Sequence, residues 1–235
     1  MDLGRAWRAP VRGGPMGLLT RVGGALQAFV RRLRDRIALG IGRRSEPVAD
    51  REGFRRFLQT RSNYIAQYSL YGYLRTRTGV RFPELFNDDP FVRSINIAKW
   101  HIWLACLADL AIYAGGLLLR RAQAPAAAVA QLVSHSVDAI LAEVGVPEEA
   151  GAGFAEHAAR VRARIALCDW ESIGDDESAF SESPAALVRY APVTDELRQL
   201  DEEIVKNSVR FRWQEIRRTL RRDLDAARVM SSTSS

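Results

Sequence analysis

The sequence predicts an all-α protein: a single bundle-like domain of about five helices, preceded by an N-terminal amphipathic helix. Three observations lead there. Apolar residues recur at steps of three and four through most of the chain; no stretch alternates apolar and polar residues between hairpin turns; and no internal repeat is present. A composition of 47 % hydrophobic and 26 % charged residues over 235 positions suits a globular core.

Residues 1–14, with Pro10, Gly13 and Gly14, read as a flexible lead. Over residues 15–41, Leu18, Val22, Leu26, Phe29, Leu33 and Ile37 follow the helical period, and Gly40 and Gly42 supply the stop. Paired glycines at 23 and 24 weaken this helix by about 1 kcal/mol each relative to alanine. A polar linker follows at 43–50. A second helix is expected from about Asp50 to Thr78, with Phe54, Phe57, Leu58, Tyr64, Ile65, Tyr68 and Tyr71 facing inward. Arg75 and Arg77 suit its carboxyl end, and Gly79 is a natural cap.

After a connection containing Pro83, Asp89 and Pro90 fit the N-cap and first turn of a third helix reaching Leu119. It is apolar almost all round, so it is expected at the centre. Further helices are expected at about 125–144 and 148–170, then a loop with one short helical turn near 185–190, then a long helix from about 193 to 228. That last helix carries Leu197, Leu200, Ile204, Val209, Trp213, Ile216, Leu220 and Leu224 as an inward stripe and offers arginine outward. The chain thus divides into a basic amphipathic segment (1–44), a helical domain (45–230) and a tail expected to be disordered (231–235).

The net charge of +6 is uneven: residues 1–44 hold ten arginines and two acids, residues 206–228 sum to +5, and the centre is acidic. Basic ends suit an anionic partner. With 32 arginines and only Lys99 and Lys206 as lysines, part of this signal is composition, and it points to a bacterial cytoplasmic protein. Cys106 and Cys168, 62 residues apart in apolar surroundings, suit buried thiols in a reducing compartment. Arg21 splits the first apolar run, which disfavours a secretory signal.

Trp100 to Leu119 is long enough to cross a bilayer, but Asp109 at its middle favours a buried core helix in which the carboxylate meets an arginine. Residue types suited to acid–base chemistry gather at Asp88, Asp89 and His101, although capping by Asp89 and the helix dipole at Asp88 explain the two aspartates better. Ser134, His135 and Ser136 are neighbours on a helix and so point about 100° apart. No metal-ligand spacing, phosphate loop or nucleotide fingerprint is present, and no cofactor or small-molecule ligand is expected. The acidic run Asp175, Asp176 and Glu177 reads as a solvated turn.

The segments LYGYLRTRTG (70–79), PELFNDDPFVRSIN (83–96) and AKWHIWLACLADL (98–110) resemble an uncharacterised all-helical bacterial family whose members are sometimes labelled esterases. The resemblance spans Phe57 to Gly116. It implies a helical fold and a hydrolytic nucleophile, but the segments hold no catalytic motif through which a residue could be assigned.

The function expected is therefore a membrane-peripheral scaffold or adaptor at the inner face of the membrane. Leu18, Val22, Leu26, Phe29, Arg31, Arg32, Leu33, Arg34 and Ile37 would contact anionic lipid or a protein partner. The alternative is a small esterase-like hydrolase working through Asp88, Asp89 and His101. Nucleic-acid binding through Arg210 to Arg222 is a weaker third reading, since no aromatic residues interleave that basic face.

Overall fold

A computed structural model describes residues 47–232; the amphipathic segment at 15–41 and its nine named side chains lie outside them. Among the described residues seven α-helices enclose a core running from Val48 to Val229, and no strand forms.

Helix α1 is Arg51–Thr78, and Asp50 caps it by accepting the Gly53 N–H at 2.6 Å. Gly79 closes it as expected, with φ +55° and its N–H on the Arg75 carbonyl. A 3-10 segment, Gly79–Asn87, carries Pro83 and leads into α2, Asp89–Ala122. Here the expected cap moves by one residue. Asp88 occupies the N-cap position and Asp89 the first turn beside Pro90, and the Asp88 side chain makes no capping bond.

Helix α2 is the axis of the bundle. The helices α1, α3 (Ala126–Val144), α4 (Phe154–Ala166), α5 (Glu182–Tyr190) and α7 (Ala226–Ser231) all pack on it. Both α2 and α3 are long and apolar enough to cross a membrane, yet 94 % of the apolar window of α2 is buried inside the fold. Its all-round hydrophobicity is accounted for by helices on every side.

The helix expected over 148–170 is shorter. Residues Glu148–Ala150 form a 3-10 turn, and Gly151, at φ +78°, redirects the chain before α4 begins. After α4, residues 167–181 fold back across α2, where Trp170 and Ile173 settle against Gly115 and Gly116. The expected short turn becomes α5, extended to nine residues.

The last long helix, α6 (Asp195–Asp223), stops at Leu224, and Asp225 caps the separate α7 by accepting the Arg228 N–H at 3.1 Å. The break has a partner. Val48 donates to the Asp223 carbonyl at 2.9 Å and accepts from the Asp225 N–H at 3.0 Å, so backbone groups freed from the helix are satisfied by the entering chain.

The inward register of α6 also differs from expectation. Leu200 and Ile204 face solvent, while Asp201, Val205, Val209, Trp213, Ile216 and Leu220 are buried. Asp201 wins its place through α1: Arg77 Nε donates to it at 2.5 Å and Tyr73 Oη at 2.9 Å. Tyr68, expected inside, is 39 % exposed and lies under the Arg212 guanidinium at 3.8 Å.

Candidate functional site

The residues expected to support hydrolysis do not converge. Asp88 and Asp89 are exposed at the start of α2, and His101 is buried twelve residues further on, about 18 Å along the helix. Asp89 lines an open cleft of about 520 Å³ with Arg93, Asn96, Ile97, Glu149 and Gly151, and His101 is not part of its wall. Ser136 is buried and donates to the Leu132 carbonyl at 2.8 Å, whereas His135 points to solvent.

His101 instead meets a residue that spacing could not have paired with it. Its Nδ1 lies 2.9 Å from Nδ1 of His157 on α4, and both rings stack with Tyr190 at the end of α5. One imidazole therefore donates and the other accepts, which fixes opposite tautomers on the two rings. Burial, then the neighbouring His101, Arg160 and Arg189, pull the His157 pKa from 6.5 down to about 4. Burial and the same arginines lower His101 as well.

The sign of the resulting pH dependence follows. Between pH 6.5 and about 4 the unfolded chain binds a proton at His157 that the folded chain refuses, so stability falls as the pH is lowered through that window. Urea unfolding is expected to show stability falling between pH 7 and pH 4, by at most about 3 kcal/mol for the full His157 shift and by less to the extent that solvent screens the half-buried ring. His157→Gln should flatten most of that slope; an unchanged slope would place the titration elsewhere.

Asp109 has the arginine that its position demanded. Its Oδ1 accepts from Arg164 Nη1 at 2.7 Å and from the Glu182 N–H at 3.3 Å, and its Oδ2 accepts from the Ser183 N–H at 2.8 Å. Arg164 reaches on to the Ala179 carbonyl and Ser181 Oγ, both at 3.2 Å. Ser183 Oγ accepts from Trp213 Nε1 at 2.9 Å. The carboxylate thus caps α5 from another helix, where the N-cap residue Ser181 makes no side-chain cap bond. Burial raises the Asp109 pKa, and Arg164 and Ser183 draw it back. This network joins α2, α4, α5 and α6, which makes it an organiser of the core.

The acidic turn is likewise more than solvated. Asp175 accepts from Tyr113 Oη at 2.6 Å and lies 3.4 Å from Arg221, while Arg217 Nη2 donates to its carbonyl at 2.9 Å. Arg221 and Arg217 are therefore committed to the protein's own loop, which shortens the arginine row proposed for nucleic acid. The thiols of Cys106, buried, and Cys168, half-buried, are both free. Among the described residues no group of three or more His, Cys, Asp or Glu side chains is disposed to hold a metal ion.

What remains outward on α6 is a mixture of apolar and basic side chains. Leu200, Ile204 and Phe211 project from α6, and Arg218 and Arg222 are exposed further along the same helix. Val48 pairs with the backbone of Asp223 and Asp225 at the end of that helix, and the exposed Arg121 Nη1 donates to the Arg221 carbonyl at 2.6 Å.

Fold and site together define an all-α bundle whose buried polar groups tie helices to one another. No family model, curated protein or solved structure matches this chain.

Proposed function

We propose that this protein is a membrane-peripheral helical scaffold or adaptor, recruited from the cytoplasm to an anionic membrane surface through residues 15–41. One observation supports the reading: the segment with ten arginines leads into the body at Val48, whose backbone pairs with Asp223 and Asp225 at the end of α6, the helix that carries the exposed Arg218 and Arg222. Basic charge on the segment and on the adjoining end of the bundle can then act on the same anionic surface, at about 1 kcal/mol per arginine near the headgroups. The apolar residues Leu18, Val22, Leu26 and Phe29 would add interfacial burial to this attraction. The separation of Asp88 and Asp89 from His101 removes the proximity on which the hydrolase alternative depended.

The full chain is expected to sediment with vesicles of equal parts phosphatidylglycerol and phosphatidylcholine at low salt, and less so at high salt. Removal of residues 1–44 should abolish that binding. Equal sedimentation of the two proteins at both salt concentrations would refute the proposal.

A further inference from the structure

The exposed large apolar side chains of the body fall into two groups. Tyr68 lies on α1 under Arg212 and Val80, Val146 and Leu167 stand singly in or beside connections, but Leu200, Ile204 and Phe211 share one helix. At about 100° per residue these three lie within about 40° of one another on the outward side of α6. They are 73 %, 70 % and 71 % exposed, which leaves an apolar stripe facing water.

Charge along α6 is polarised in the same frame. Its first third holds Asp195, Glu196, Glu202 and Glu203 against Arg198, and its second half holds Arg210, Arg212, Arg217, Arg218, Arg221 and Arg222 against Glu215 and Asp223. Lys206 is shared between Glu202 at 2.5 Å and Glu203 at 3.2 Å, so two carboxylates divide one cation. A helix with an apolar middle, an acidic start and a basic end is complementary to itself when reversed. Parallel pairing would set like charges side by side.

We propose that α6 pairs antiparallel with α6 of a second copy of this chain, with Ile204 of each packed on Phe211 of the other. That register puts the two-fold axis between Asn207 and Ser208, whose small polar side chains allow the helices to approach. Glu203 and Arg210, seven residues apart and hence on one flank, then meet across the axis, offset by about 3 Å along it. Glu196 comes level with Arg218 to within about one residue rise, about 1.5 Å. The apolar centre supplies the attraction and the charged ends select the direction.

The full chain is expected to show a dimer by sedimentation velocity at micromolar concentration. Phe211→Asp should weaken it by at least about tenfold with unchanged far-ultraviolet circular dichroism, because the ring is exposed in the single chain. Glu203→Arg and Arg210→Glu should each weaken the dimer, and the two together should restore it. Asn207→Cys, in a Cys168→Ser background, should give a disulfide-linked dimer under mild oxidation. A wild-type chain that stays monomeric would overturn the proposal, as would a double exchange that fails to restore pairing. If the full chain is monomeric and only the chain lacking residues 1–44 dimerises, the stripe is covered by the protein's own N-terminal segment and the proposal fails. It fails equally if Phe211→Asp leaves the mass unchanged and abolishes sedimentation with phosphatidylglycerol vesicles, since the occupant is then lipid.

Discussion

Asp109→Ala is expected to lower the free energy of unfolding by about 3–5 kcal/mol, the range for breaking a buried ion pair by removing one partner. The size follows from what is stranded. Arg164 keeps a charge with 27 % side-chain exposure and loses its carboxylate, and the Glu182 and Ser183 N–H groups at the start of α5 lose their acceptor. A domain with a stability of about 5–15 kcal/mol would be brought close to its limit by such a loss. Asp109→Asn keeps the shape and one acceptor oxygen, so it should cost less than the alanine variant. Urea denaturation at neutral pH checks both, with an unchanged slope showing that the unfolded ensembles compare directly. A loss below about 1 kcal/mol for the alanine variant would show that α5 is held by packing alone.

Gly115→Ala should also destabilise, by about 1–3 kcal/mol, although alanine is the better helix former by about 1 kcal/mol. The reason is steric. A Cβ at this position would stand 2.8 Å from Cε3 of Trp170 and closer still to Cζ3, and the ring is only 5 % exposed, with the core around it. Gly116 is under the same constraint from Ile173, whose Cγ2 would lie 2.5 Å from a new Cβ. If contact with Trp170 is the cause, the same substitution in a Trp170→Ala background should cost little, and a double-mutant cycle measures the difference. Equal costs in the two backgrounds would mean that α2 itself resists the change.

Local chemistry made much of the bundle legible in one dimension. The caps at Asp50 and Gly79, the Pro90 start of α2, and the stop at Gly145 are all settled by residues within a turn of the event. The all-round hydrophobicity of residues 100–119 identified the central helix, and the lone aspartate within it announced an arginine without saying which. Helix ends without such punctuation were read less well. The α6–α7 break at Leu224 has no glycine or proline to mark it, only the Asp225 cap, and its free backbone groups are met by Val48, distant in the chain and adjacent in space. Hydrophobicity alone points Leu200 and Ile204 inward, yet they lie on the face of α6 opposite Val209, Trp213 and Ile216. Asp201, one turn before the buried Val205, shares that inward face and is met there by Arg77.

The candidate sites divide in the same way. Asp88, Asp89 and His101 drew attention as neighbours in sequence, and twelve residues of rigid helix keep them apart. His157, Tyr190 and Ser183 carried no signal, since each gains its meaning from a partner on another helix. The sequence by itself determined the helical class, the central position of α2, the uneven charge and the need of Asp109 for a cation, because periodicity, composition and the cost of burying charge act locally. Only the tertiary structure decided which arginine answers Asp109, which imidazole meets His101 and which face of α6 is left to water. Those choices depend on the packing of distant helices in three dimensions, where the face of α6 that holds Val205, Val209, Trp213, Ile216 and Leu220 turns inward, carries Asp201 with it to Arg77, and leaves Leu200 and Ile204 on the opposite side.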